Sequence, residues 1–155
     1  MLTHLYITNY ALIEELDIDF HDGFSVITGE TGAGKSIILG ALGLLLGKRA
    51  DAQAIKNGEK KCCIEASFDI RALNLKSFFV DNDIDNDEAE CILRREVINT
   101  GKSRAFINDT PVSLTQLKEL GTYLIDIHSQ HQNLLMNQED FLLDIVDTIA
   151  GNQSL

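Results

Sequence analysis

The sequence predicts an α/β fold with a mixed β-sheet and flanking helices, and three observations carry that reading. Gly29-Glu30-Thr31-Gly32-Ala33-Gly34-Lys35-Ser36 follows the spacing G-x-x-x-x-G-K-[ST]. The apolar run Phe24, Val26 and Ile27 ahead of it reads as a buried strand, and Ser36 to about Leu46 behind it as a helix. Alternating segments elsewhere, above all Cys62 to Ile70, read as strands with one face inward and supply an antiparallel part.

The glycine pattern has a physical reason. Glycines let successive backbone N–H groups turn onto a phosphate, a lysine reaches the outer phosphates, and a hydroxyl takes Mg²⁺. The helix that follows points its N-terminal N–H groups at the same anion. With strand before and helix after, Gly29 to Ser36 reads as a P-loop, and nucleotide binding is preferred over a glycine-rich turn that only joins two elements.

The 155 residues suffice for one domain with a core, and an apolar content of 45% places the chain among globular proteins. A net charge of −11 argues against nucleic-acid or anionic-membrane binding by this segment alone. Cys62, Cys63 and Cys91 lack C-x-x-C spacing and are odd in number, which fits reduced core thiols in the cytoplasm. No export signal and no membrane-spanning run is visible, so no membrane partner is expected.

In chain order, Leu5 and Ile7, then Leu16, Ile18 and Phe20, alternate with polar neighbours and predict two half-buried strands. The turn chemistry of His21-Asp22-Gly23 predicts that the second strand folds back antiparallel to the strand entering the P-loop. The helix after Ser36 is apolar nearly all round, which predicts burial between layers, with Gly47 as its stop. From Gly47 to Lys61 the chain turns polar and reads as a long excursion. A short helix is expected from about Leu73 to Val80. The acidic run Asp81 to Glu88 invites a calcium loop, but Asn86 and Ile92 stand where that loop needs glycine and glutamate, so a solvated acidic loop is preferred.

Cys91 to Ile98 and Ser103 to Asn108 flank Asn99-Thr100-Gly101-Lys102 and predict a hairpin. Arg94, Arg95, Lys102 and Arg104 gather there, either as a phosphate-facing basic ribbon or, preferred, as a ribbon that offsets nearby acids. Ser113-Leu114-Thr115-Gln116 predicts a capped helix that stops at Gly121, and Tyr123 to Ile127 a buried strand. Two readings of that strand compete. Asp126 could be a Walker B carboxylate, making a self-sufficient NTPase or kinase, or Gln130 in the loop after the strand could reach the metal or attacking water. Asp126, His128 and His131 fit a zinc site poorly, since no fourth ligand is evident. After Asn137 as N-cap, Phe141, Leu142, Ile145, Val146 and Ile149 recur at helical spacing.

The segments Leu5 to Ile13, Gly29 to Ser36, Gly47-Lys48-Arg49-Ala50, Ser103 to Asn108 and Asp126-Ile127-His128-Ser129-Gln130-His131 together resemble the bacterial RecN family of DNA repair proteins, in the SMC-like branch of ABC ATPases. The resemblance spans the chain and implies the ABC/SMC head type of P-loop NTPase fold, N-terminal lobe only. Residues 1–137 would be the first half of the head and 138–155 a helix leading toward a coiled-coil arm. No L-S-G-G-Q-like signature and no strand ending in an Asp-Glu pair occurs, so the segment would be catalytically incomplete alone. By resemblance, Lys35 and the backbone of Gly29, Glu30, Thr31, Gly32, Ala33 and Gly34 would hold the phosphates of ATP. Ser36 would ligate Mg²⁺, and Gln130 would be the Q-loop residue at the γ-phosphate and metal. The wider family often has a basic residue where this chain has Ala11, which leaves backbone or Tyr10 for any nucleotide contact there. The implied partners are the C-terminal half of the same head, a second copy across sandwiched ATP, and DNA through the full-length protein at the nucleoid. An alternative of another class is a module in which ATP only drives head engagement.

Overall fold

The computed structural model describes residues 1–28 and 32–127. Met1–Ile125 form one compact unit; a second begins at Asp126, of which Asp126 and Ile127 are described. The unit contains β1 (Leu2–Tyr10), β2 (Ile13–Asp19), α1 (Gly32–Leu45), β3 (Lys61–Asp69), α2 (Lys76–Asp81), β4 (Glu90–Ile98), β5 (Ser103–Ile107), β6 (Thr110–Val112) and α3 (Leu114–Leu124). The strands form one sheet in the order β2-β1-β3-β4-β5-β6, and each pairing is antiparallel. This is the antiparallel part of the α/β architecture.

Period-two alternation decides which face is core. Leu5 and Ile7 of β1, Cys62, Ile64, Ala66 and Phe68 of β3, Cys91, Leu93 and Val97 of β4, and Ala105 and Ile107 of β5 are buried. Register aligns them in rows: Ile7 opposes Ile64, Ile64 opposes Arg95, and Arg95 opposes Ala105. Helix α1 packs on β3 and β4, and α3 on β5. Phe78 and Phe79 of α2 are buried edge to face, with centroids 5.7 Å apart.

The turns follow their chemistry. Ala11-Leu12 closes the β1–β2 hairpin, where Tyr10 opposes Ile13 and Ala11 takes φ +52°. Asn108 and Asp109, at φ +48° and +62°, form the paired left-handed turn between β5 and β6. Asn108 also ties down the acidic loop, donating Nδ2 to the Asp85 carbonyl at 2.8 Å and accepting at Oδ1 from the Ile92 amide at 2.9 Å. Among the described residues no cluster of three or more His, Cys, Asp or Glu could hold a metal ion.

Several expected elements form differently. Phe24, Val26 and Ile27 belong to no strand and are exposed, Phe24 by 93%. A strand apolar on both sides needs partners at its edges and layers on its faces. Among the described residues the sheet ends on this side in β2, which pairs with β1 alone, so β2 does not fold back onto that run. The capping box at Ser113 and Gln116 forms as expected, but α3 continues through Gly121 to Leu124. Gly121 is a contact rather than a stop: a Cβ there would lie 2.8 Å from Leu46 Cδ2. The buried strand expected from Tyr123 to Ile127 is therefore absent, and Tyr123 is 56% exposed.

The four basic residues of the hairpin do not share one face. Arg94 points outward, over the Phe106 ring at 4.4 Å and 2.9 Å from Asp109 Oδ1, whereas Arg95 points inward and is fully buried. Lys102 and Arg104 are exposed.

The excursion after α1 is strapped to the sheet. Gly47 (φ +84°) ends α1 in a Schellman motif, in which the Lys48 amide donates to the Gly43 carbonyl and the Gly47 amide to the Leu44 carbonyl. Asp51 caps a 3₁₀ turn at Ala52–Ala54. The Ala11 amide donates to the Ala54 carbonyl at 2.7 Å, the Lys56 amide to the Asn9 carbonyl at 2.9 Å, and Ile55 is buried. The backbone groups that a polar loop would leave to water are thus paired with the corner of β1.

Gly47→Ala places a Cβ against Lys118 Cγ and 3.2 Å from the Leu114 carbonyl oxygen, in a left-handed conformation. Its expected cost is at least about 1 kcal/mol, read as a lowered urea midpoint at unchanged slope. The cysteines yield a second expectation. Burial raises all three thiols, Cys63 to about 11 with help from Glu96 and Cys91 to about 12, so each stays protonated at pH 8. Because the thiolate is the nucleophile, a disulfide reagent at pH 8 should label the native protein slowly and all three sites rapidly in denaturant.

Candidate functional site

The candidate site lies at the start of α1, and the other end of that helix explains its placement. Ala41, Leu42, Leu44 and Leu45 are buried on the sheet, whereas Gly34, Lys35 and Ser36 in the first turns are exposed. The expectation of burial along the whole helix holds for its second half only, because the described layers cover one side and Leu39 is 39% exposed. No acidic residue stands in the first turn of α1 to compete with an anion. The positive end of the helix dipole, the Lys35 ammonium and the Ser36 hydroxyl are groups of the types that suit phosphate and Mg²⁺.

Three contacts clamp the buried half. Tyr10 is buried with its hydroxyl against Gly40, where a Cβ would lie 2.7 Å from Oη. Burial raises the Tyr10 phenol, which is engaged with α1 rather than presented as a platform for a base. Lys48 folds back over Gly43, where a Cβ would meet its stem at 2.8 Å. Arg95 reaches the Leu44 carbonyl from the sheet at 3.4 Å. Sequence reading missed these supports. Only the glycines at positions 40 and 43, spaced along a helix, hinted at close approach.

Of the candidate site residues, the structure places Gly32, Ala33, Gly34, Lys35 and Ser36 together in the first turns of α1. Gly29, Glu30 and Thr31, Gln130, the two histidines at 128 and 131, and the helix after Asn137 lie outside the described residues. Asp126 is exposed and directly follows the end of α3 rather than a strand.

Comparison with known proteins agrees with this geometry. A protein-family model described as an AAA domain matches residues 4–147. The DNA repair protein RecN of Haemophilus influenzae is 44% identical over 159 aligned positions, covering 100% of this chain and 28% of that protein. RecN of Bacillus subtilis is 38% identical over 152, covering 97% of this chain and 26% of that protein. The chain thus spans little more than a quarter of the length of these relatives. A solved structure from work on ATP-driven dimerisation and DNA-stimulated activation of SMC ATPases superposes with a TM-score of 0.66 at 20% identity, covering 96% of this chain and 98% of that one. The recombination mediator RecF bound to ATPrS superposes with a TM-score of 0.58 at 17% identity, covering 76% of this chain and 29% of that one. The chain belongs to the AAA-domain family, with the fold of SMC-type ATPase heads and full-length similarity to the N-terminal part of RecN proteins.

Proposed function

We propose that this chain is the ATP-binding N-terminal lobe of a RecN-like ATPase that acts in repair of DNA double-strand breaks and in recombination. The observation that carries the reading is the exposed Lys35 and Ser36 pair on the first turn of a helix whose far half is locked to the sheet. In this reading the backbone of Gly29 to Gly34 and the Lys35 ammonium bind the phosphates, and the Ser36 hydroxyl and Gln130 hold Mg²⁺. Bound Mg²⁺ would neutralise charge developing on the phosphates. The chain's own contribution is to hold the anion at the positive end of α1, with an ammonium fixed one turn away.

Residues 1–137 serve as the first half of the head and 138–155 as the start of an arm. The second half of the head would supply the signature motif and Walker B carboxylate that the sequence lacks. The exposed apolar side chains of Phe24, Val26 and Ile27 support that partner, since such a strip leaves its surface in water until another layer covers it. Two heads would close over ATP, coupled to DNA through surfaces beyond this acidic segment.

Lys35→Ala should weaken Mg-ATP binding at least about tenfold, the expected loss for a charge-assisted contact, with an unchanged far-ultraviolet spectrum. Equal affinity in wild type and variant, measured with a fluorescent ATP analogue, would sink the P-loop assignment. The chain alone should show no Lys35-dependent steady-state hydrolysis, and adding the C-terminal half of the head should restore it. Turnover by the chain alone that disappears in both Lys35→Ala and Asp126→Asn would instead establish a self-sufficient enzyme.

A further inference from the structure

Arg95 is a fully buried cation in a row of the sheet that is otherwise apolar, between Ile64 and Ala105. Among the described residues no carboxylate pairs with it: Nη2 donates to Ser103 Oγ at 2.9 Å, Nη1 donates to the Leu44 carbonyl at 3.4 Å, and Nε is buried without a partner there. Desolvation pushes the guanidinium below its ordinary pKa, as expected of a charge with so little compensation. An apolar side chain of similar volume would fill the space without that cost. What arginine adds is a planar fork that spans two acceptors on different elements.

The two acceptors are informative. Leu44 lies in the last turn of α1, where the dipole is negative; its carbonyl already accepts from the Gly47 amide, so Arg95 is a second donor to it, and α1 has no basic residue of its own in that turn. Ser103 opens β5 beside the Asn99–Lys102 turn. The fork therefore joins the carboxyl end of α1 to the β4–β5 hairpin. A helix transmits axial displacement along its hydrogen-bond ladder, and Lys35 lies nine residues from Leu44, roughly 13 Å along the axis.

We propose that Arg95 is a positioning residue for the nucleotide site: by binding the Leu44 carbonyl from a hydrogen-bonded seat on Ser103, it sets the axial position of α1 and hence of Lys35 and Ser36. This rests on the P-loop reading and names a residue for it outside the phosphate-binding loop. The hairpin's buried arginine thereby acquires a role that its exposed neighbours Lys102 and Arg104 do not share.

The test measures Mg-ATP affinity and thermal midpoint in parallel for wild type, Lys35→Ala, Arg95→Met, Arg95→Lys and a core control, Ile107→Val on β5. Arg95→Met should keep or raise the thermal midpoint, since a desolvated charge is removed, while affinity falls about tenfold. Arg95→Lys, which keeps a cation on a similar stem without the fork, should fall between it and wild type. Affinity in Arg95→Met within twofold of wild type would overturn the proposal, as would losses of affinity and midpoint along the line set by Ile107→Val. If Arg95→Met does not fold, Arg95→Lys decides by the same comparison: weakening beyond the control supports the role, and weakening equal to it refutes the role. Absence of Lys35-dependent binding in wild type would overturn the P-loop reading itself, an outcome separable from failure at Arg95 alone.

Discussion

The structure depends on the seating of one half of one helix. Ala41, Leu42, Leu44 and Leu45 bury α1 against β3 and β4, and Gly40 and Gly43 let Tyr10 and Lys48 come closer than any side chain at those positions would allow. Since the hydrogen-bond ladder makes a helix stiff along its axis, holding the buried half settles where the exposed half points. The first turns, where Gly34, Lys35 and Ser36 are exposed, then need not be held by their own packing. Separating support from presentation suits an anion site.

The sheet divides two kinds of work between its faces. Inward rows are apolar except at Arg95, and α1, α2 and α3 contribute to the core they border. Outward rows carry hydrogen bonds and ion pairs: His4 Nε2 lies 2.7 Å from Asp17 Oδ1, Lys61 Nζ 3.0 Å from Glu96 Oε1, and Arg94 sits between Phe106 and Asp109. Exposed pairs of this kind contribute little stability individually. Their consequence is that Arg94, the outward cation of β4, is already engaged by its neighbours on the sheet surface.

Local chemistry was readable where neighbours a few residues apart decide the outcome. The alternation from Cys62 to Ile70, the hairpin about Gly101, the capping box at Ser113 and the helix after the glycine-rich loop all form as the sequence indicates. Reading failed where a distant partner decides. Gly121 has the chemistry of a helix stop, yet α3 runs through it because the missing side chain admits Leu46. Phe24 to Ile27 have the composition of a buried strand, yet composition cannot supply the neighbouring strands and covering layers that make one. Arg94 and Arg95 look equivalent in a basic cluster, and a period of two sends them to opposite faces with opposite fates.

The sequence by itself determined strands β1 to β5 of the antiparallel sheet, the inward face of β3, and the residue types that make Gly29 to Ser36 a phosphate-binding pattern, because those properties depend on spacing and local backbone preference. Tertiary structure decided that the polar stretch after Gly47 is strapped to β1, that Tyr10 supports α1, that Asp126 follows a helix, and that Arg95 reaches the end of the helix bearing Lys35. Apart from Asp126, each of these joins residues distant in the chain, and only the folded register of the sheet brings their hydrogen-bonding and packing partners together.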